Sequence, residues 1–199
     1  VESLGDFKTP VLAQFIGEKC ANTPRTILVV GCGGGIEAAV LGLLLKAQVT
    51  GIDVATNFDE RAAQIANLRY GDATNMDFDD ESFDFVFSFH ALEHIPDYRK
   101  ALSEMRRVLR PGGGWLIGTP NRDRLIGYLG SKDASLRQKI EWNMADWKAK
   151  LKGRFRNELG AHAGYTSQEL AQELSSVFSV VQDITDNYYR VIYQRRKNI

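Results

Sequence analysis

A glycine-rich turn, Gly31-Cys32-Gly33-Gly34-Gly35, closes a short apolar run at 27–30 and precedes a helical pattern that begins at Ile36. Glycine accepts positive φ and lets a ligand approach the backbone closely. The free N–H groups of the following helix point into the same space. The turn therefore suits a polar or anionic ligand group, although a tight turn alone would need the same residues. Asp53 ends a second apolar run at 49–53, 18 residues beyond Gly35. A carboxylate there can accept both hydroxyls of a ribose, and it can equally cap a helix. Taken together, the two features point to an adenosine-containing cofactor. Three histidines complete the chemistry-bearing set: His90 and His94 follow the run at 83–89, and His162 precedes Thr166. Histidine removes a proton well near neutral pH. His90 lies closer to the end of the run and is the preferred base, and His162 is a third candidate if the chain folds back over the site. Cys20 and Cys32 have no metal-ligand or redox spacing and read as reduced thiols.

The elements that must position these residues alternate. A helix is expected over 8–20, strands at 27–30 and 49–53, and a helix from Ile36 whose face carries Val40, Leu43, Leu44 and Ala47. A helix over 58–68 and a short strand near 68–70 follow. The Phe/Val-rich stretch 83–89 reads as a buried strand. Tyr98, Ala101, Leu102, Met105, Val108 and Leu109 give the next helix its apolar stripe after Pro96, and Pro111-Gly112-Gly113 ends it before a strand at 114–119. Alternation of this kind predicts a parallel α/β sheet with helices on both faces. Beyond residue 120 the rhythm breaks. Thr166-Ser167-Gln168-Glu169 has the spacing of a capping box. Residues 177–184 and 188–194 read as two strands joined by a short turn, which demands an antiparallel pair.

The glycine pattern lacks the last glycine of the dinucleotide fingerprint, because position 36 is Ile. It resembles instead the class I S-adenosylmethionine-dependent methyltransferases, in particular their small-molecule branch. The resemblance runs from about residue 27 to 121. It includes Gly71-Asp72-Ala73, the stretch Asp79 to Ser88, Ala91-Leu92-Glu93-His94-Ile95-Pro96-Asp97, and Arg107 to Gly113. It implies a Rossmann-like, doubly wound, mostly parallel seven-stranded sheet, here with an antiparallel C-terminal hairpin strand and a helical insertion after strand 5. Gly31, Cys32, Gly33 and Gly35 would line the amino-acid end of S-adenosylmethionine. Asp53 would hold its ribose, with Val54 against the adenine. Asp72 would meet the adenine amino group, Ala73 its ring edge, and Phe89 would sit beside the cofactor. One position departs from the family: an acidic residue is usual two places before the first glycine, and here it is Val29. No Asp stands at 88–90, where metal-dependent relatives acting on catechol-type acceptors hold a ligand, so no metal is expected. A nicotinamide oxidoreductase is disfavoured by Ile36. An aminopropyl transferase is disfavoured by the lack of acidic residues at 88–90. A non-catalytic protein or subunit that only binds the cofactor remains the alternative.

Charge divides unevenly along a chain whose net charge is zero. Residues 121–156 hold ten Lys/Arg against four Asp/Glu, a net of +6, and the remainder balances it. Within that segment Ile140, Met144, Trp147, Leu151 and Phe155 form one helical stripe. The plain expectation is a cap over 121–164 that packs this stripe on the sheet domain, within a single domain spanning 1–199. The alternatives are a lid attracting an anionic acceptor and a peripheral contact with an anionic membrane surface. Nucleic acid is not expected, because the rest of the chain would repel phosphates. No apolar run reaches the ~18 residues of a membrane span and no signal peptide is visible, so the sequence reads as a cytoplasmic protein acting on a small-molecule or lipid-like acceptor.

Overall fold

The computed structural model describes residues 8–20, 22–128, 134–159 and 162–197. Five strands run parallel: β1 (Thr26–Val30), β2 (Gln48–Asp53), β3 (Asn67–Tyr70), β4 (Phe83–Phe89) and β5 (Leu109–Gly118), in the spatial order β3-β2-β1-β4-β5. Seven helices accompany them among the described residues: α1 (Thr9–Lys19), α2 (Ile36–Leu45), α3 (Glu60–Ala63), α4 (Tyr98–Val108), α5 (Leu136–Leu151), α6 (Ser167–Ser175) and α7 (Thr185–Lys197).

Strand periodicity sorts the core onto two faces. Ile27, Val29, Phe85 and Phe87 point to one side and pack with Leu12, Ile16, Ala38 and Leu41 of α1 and α2. Leu28, Val30 and Val86 point to the other and meet Ala101, Leu102, Met105 and Val108 of α4, with Leu174 of α6. Alternate residues of a strand face opposite ways, so one apolar run serves both layers. On α2 the buried residues are Ala38, Ala39, Val40 and Leu41, whereas Leu43 and Leu44 are exposed. The capping box expected at Thr166 is present: Thr166 Oγ1 accepts from Glu169 N, and Glu169 Oε2 accepts from Thr166 N.

The sheet corrects the expected architecture. It has five strands among the described residues, all parallel, and neither a seventh strand nor an antiparallel hairpin strand. Residues 188–194 lie in α7, not in a strand. Ile184, Tyr188, Val191 and Ile192 pack against Val11 and Phe15 of α1. Their spacing is helical, and the β-branched and aromatic residues that favour strands are here overridden by that periodicity and by the apolar face of α1. Residues 177–184 form no strand either. They form an irregular segment anchored by Phe178, whose ring stacks on that of Trp115 of β5 with centroids 4.5 Å apart.

α5 also departs from expectation. Its apolar stripe does not pack inward: Leu136, Ile140, Met144, Trp147 and Leu151 are exposed, and Asn143 is its one buried residue. Phe155 alone of the predicted stripe is buried. The helix docks through polar groups. Asn143 Oδ1 accepts from Gly127 N, Asp146 pairs with Arg124, and Lys150 Nζ donates to Arg124 O. Part of the expected cap, residues 129–133 and 160–161, lies outside the described residues.

Arg107 ties α4 to the segment that leads into β4. Its guanidinium donates to both oxygens of Glu104, to the carbonyls of Met76 and Phe78, and to Asp80. The Arg107 hydrogen bonds lower the pKa of Glu104 against the opposing effect of burial. A carboxylate held below its unfolded value stabilises the fold fully above that value, 4.5 here, and loses its contribution as pH falls through the folded value. Hydrogen bonds to charged groups contribute about 1.5–3 kcal/mol. Arg107→Ala should therefore lower urea-measured stability by about 2 kcal/mol at neutral pH. Glu104→Gln should flatten the loss of stability on acidification below pH 4.5.

Candidate functional site

The turn after β1 takes the backbone geometry its glycines allow. Gly31, Gly33 and Gly35 have φ of 71°, 52° and 86°. A Cβ on Gly31 would fall 2.2 Å from Cβ of Ala91, and one on Gly35 would fall 2.2 Å from Leu68. Nothing lies within 4 Å of the corresponding position over Gly33, so the turn is closed below and open above. Gly35 caps α2, and the first N–H groups of that helix face this opening.

Asp53, at the end of β2, locks the turn. Oδ2 accepts from Gly33 N and Oδ1 from Ala55 N, both at 2.8 Å. A carboxylate has about four acceptor positions, so both oxygens keep one free for hydroxyls. Gly31 N and Cys32 N donate to Ile52 O, stitching β1 to β2 at the same level. The Cys32 thiol is buried and pushed up to about 12 by that burial and by the neighbouring Asp53 charge, so it stays protonated. Val54 is exposed beside Asp53. Asp72 Oδ1 accepts from Thr74 N and Oγ1. These bonds hold its carboxyl below the usual range. Ala73 packs beside it on the core.

The end of β4 supplies the second wall. Phe89 is half-buried and pairs with Gly118 of β5. His90 follows in the left-handed region, φ 57°, its N–H donating to Gly118 O. Such backbone costs a non-glycine residue about 1–3 kcal/mol and concentrates where side-chain direction matters. A single helical turn, Leu92–His94, comes next. Its Glu93 side chain is 1% exposed, with Oε1 at 3.7 Å from His90 Nδ1 and 3.9 Å from His94 Nε2. Glu93 Oε2 is buried, with no hydrogen-bond partner among the described residues.

The chain returns to this wall after α5. Tyr165 N donates to Pro120 O, Arg122 N donates to Tyr165 O, and Tyr165 OH donates to Leu92 O. His162 is thereby brought to His94, ring centroids 4.7 Å apart. Arg124 fixes that approach by donating to His162 O and Ala163 O. All of the sequence-derived candidates thus cluster at the carboxyl ends of β1, β2, β3 and β4. Arg124 and the buried orientation of Glu93 were not legible beforehand, because an arginine that bonds carbonyls carries no sequence signature.

The closed underside of the turn gives a direct test. Gly35→Ala places a Cβ against Leu68 and on a positive φ. It should destabilise the fold by at least about 1 kcal/mol in urea unfolding, whereas Gly34→Ala, which meets nothing closer than Asn57 O at 3.9 Å, should cost less.

Comparison with known proteins bears on the same residues. A methyltransferase domain family model matches residues 28–117. A demethylmenaquinone methyltransferase of Staphylococcus epidermidis is 47% identical over 74 residues, covering 34% of this chain and 31% of that protein. A protein of Mycolicibacterium smegmatis named as a probable S-adenosylmethionine-dependent methyltransferase is 36% identical over 115 residues, 56% of this chain and 44% of that protein. The chain therefore spans less than half the length of these curated relatives. Among solved structures, a methyltransferase of Thermotoga maritima superposes with a TM-score of 0.57 at 21% identity, over 88% of this chain and 72% of that one, a likeness of fold. Residues 28–117, the stretch that contains the glycine turn, Asp53, Asp72 and the β4 end, match the methyltransferase domain family and resemble S-adenosylmethionine-dependent methyltransferases.

Proposed function

We propose that the chain transfers the methyl group of S-adenosylmethionine to a small, lipid-like acceptor. The observation that carries the reading is the glycine turn held open over Gly33 by Asp53, with two acceptor positions to spare on the carboxylate. The residues present fit that group. Gly31, Cys32, Gly33 and Gly35 line the space for its amino-acid end, and Asp53 faces the place for its ribose. Val54, Asp72 and Ala73 stand where its adenine would lie, and Phe89 flanks its centre. When bound, S-adenosylmethionine supplies an activated methyl on a sulfonium, displaced in a single in-line step. The protein's share is positioning and proton handling. His90 and His94, at the β4 end, are the side chains able to take a proton from a hydroxyl acceptor.

A lipid-like acceptor is favoured by two features. The Staphylococcus epidermidis relative is named for a quinone acceptor, and α5 turns an apolar stripe outward. Leu136, Ile140, Met144, Trp147 and Leu151 lie along one side, with Lys148 and Lys152 exposed on others. That combination suits an anionic membrane surface where such acceptors reside. No helix among the described residues is long and apolar enough to cross a membrane. The reading is of a cytoplasmic enzyme with peripheral membrane contact, its residues 1–199 forming one methyltransferase domain and 121–164 covering the acceptor side.

Calorimetry with S-adenosylmethionine, S-adenosylhomocysteine and NAD tests the cofactor. Binding of the first two and not of NAD is expected, and the reverse overturns the reading. Asp53→Ala should weaken cofactor affinity at least about tenfold, since each charge-assisted hydrogen bond contributes about 1.5–3 kcal/mol. An unchanged affinity would remove Asp53 from the site. For the surface, sedimentation with anionic vesicles should bring down the wild-type chain and less of a Trp147→Ser, Leu151→Ser variant. Lys148→Gln with Lys152→Gln should weaken it further as salt screens the remaining charge. Lys150 is left intact there because it holds the loop through Arg124 O. Equal sedimentation of all variants would make α5 an ordinary solvated surface.

A further inference from the structure

We propose that Glu93, His94 and His162 form a binding site for a divalent first-row transition metal. The resemblance to the family implied no metal, and the residues come from two separate parts of the chain, Glu93-His94 and His162. One ligand atom from each lies within 4.8 Å of the other two. Bonds of about 2.0–2.2 Å to such an ion require donors about 3–3.5 Å apart. Glu93 Oε1 and His94 Nε2 stand at 3.9 Å, and the exposed imidazole of His162 can close the remaining gap by rotating.

A second observation points to a cation at this place. The Glu93 side chain is 1% exposed, and its Oε2 is without a hydrogen-bond partner among the described residues. A buried carboxylate oxygen left bare is costly, and such an orphan calls for an ion or an equivalent partner. The donor set selects the ion. Two imidazoles and one carboxylate suit zinc, manganese, iron, cobalt or nickel, whereas calcium and magnesium prefer oxygen alone. Three protein ligands leave coordination positions open, as in sites that bind substrate oxygen.

The surroundings are built to hold this geometry. Tyr165 OH bonds Leu92 O, the residue before Glu93. Arg124 holds the backbone of His162 and is itself paired with Asp146 of α5, both side chains 17% exposed. Supporting contacts of this kind fix ligand direction. His94 is 52% exposed at its side chain, so an ion has a path in. Ala91, two residues before Glu93, lies against Gly31, which puts the ion beside the glycine turn. Resting on the methyl-transfer reading, a hydroxyl-bearing acceptor would bind the ion through oxygen, which lowers the hydroxyl pKa. Its proton would pass to His90 or to water, the oxygen–methyl bond forming as the sulfur–methyl bond breaks.

The test uses the full chain without an affinity tag, stripped with a chelator and titrated with Co²⁺ by absorption spectroscopy and with Zn²⁺ by calorimetry. Binding of one ion per chain is expected, with visible Co²⁺ bands. Loss of even a supporting contact costs about 10–100-fold in metal affinity. His94→Ala and His162→Ala should therefore each weaken binding at least tenfold, while S-adenosylhomocysteine affinity changes little in His162→Ala. Absence of saturable binding, or equal affinity in wild type and both variants, overturns the site. If either variant fails to fold, nuclear magnetic resonance of the wild-type imidazoles decides. Co²⁺ must perturb His94 and His162 at one equivalent, and silence at both refutes the proposal. A chain that binds Co²⁺ at these residues but no S-adenosylhomocysteine would refute the methyl-transfer reading and leave the metal site standing.

Discussion

The reversal of winding between β1 and β4 is the constraint on which the rest depends. β1 leads into α2 on the face shared with α1, and β4 leads by a short turn to α4 on the opposite face. The two strands are hydrogen-bonded neighbours. Their following loops must therefore diverge, and the space between them opens at the carboxyl ends of the sheet. One loop brings the glycine turn to that opening. The other brings His90, Glu93 and His94. Neither loop could reach it if both helices left on one side. The contact between Ala91 and Gly31 marks the point where the two loops touch, and only a glycine permits that approach.

Divergence alone would leave two slack loops, and charged side chains remove the slack. Asp53 holds the first by accepting from Gly33 and Ala55 on either side of β2. Asp84 works at the other end of the sheet, where its carboxylate accepts from Arg25 N and Thr26 N and pairs with Arg110. Arg107 anchors the segment ahead of β4 to α4. Each bonds backbone groups that no ladder satisfies, and unpaired backbone polar groups are the ones a fold must account for.

Much of this was readable in the sequence because local and global signals agree over most of residues 26–118, although the helix expected over 58–68 is only Glu60–Ala63 and residues 109–113 belong to β5. The runs that became β1, β2 and β4, the stripe of α4 and the glycine pattern each have one period and one outcome. The C-terminal region lacks that agreement. Tyr188, Val191 and Ile192 carry the residue types of a strand on the spacing of a helix, and the face of α1 chose the helix. Phe178 and Val181 carry strand-favouring side chains that pack on the core, yet their backbone joins no ladder. Within the site, the residue types were visible but their meeting was not. His162 stands 68 positions from His94 along the chain, and the pairing of Tyr165 with Pro120 and Arg122 that unites them is written in backbone hydrogen bonds, which any residues can make.

α5 shows why burial cannot be read from amphipathicity alone. A stripe of Leu136, Ile140, Met144, Trp147 and Leu151 ordinarily marks the inner side of a helix. Here the inner side carries Asn143, Asp146 and Lys150, each meeting a partner in residues 124–128. Trp147 Nε1 adds a bond to Leu125 O while much of its ring stays exposed. Hydrogen bonds, a largely sheltered ion pair and the contact of the Trp142 ring with Tyr128 hold the helix down, so its apolar stripe is spare. Arg124 is the hinge of that arrangement. The same guanidinium that pairs with Asp146 also fixes the carbonyls of His162 and Ala163. α5 and the histidine at the carboxyl end of the sheet thus share one anchor, the Arg124 guanidinium.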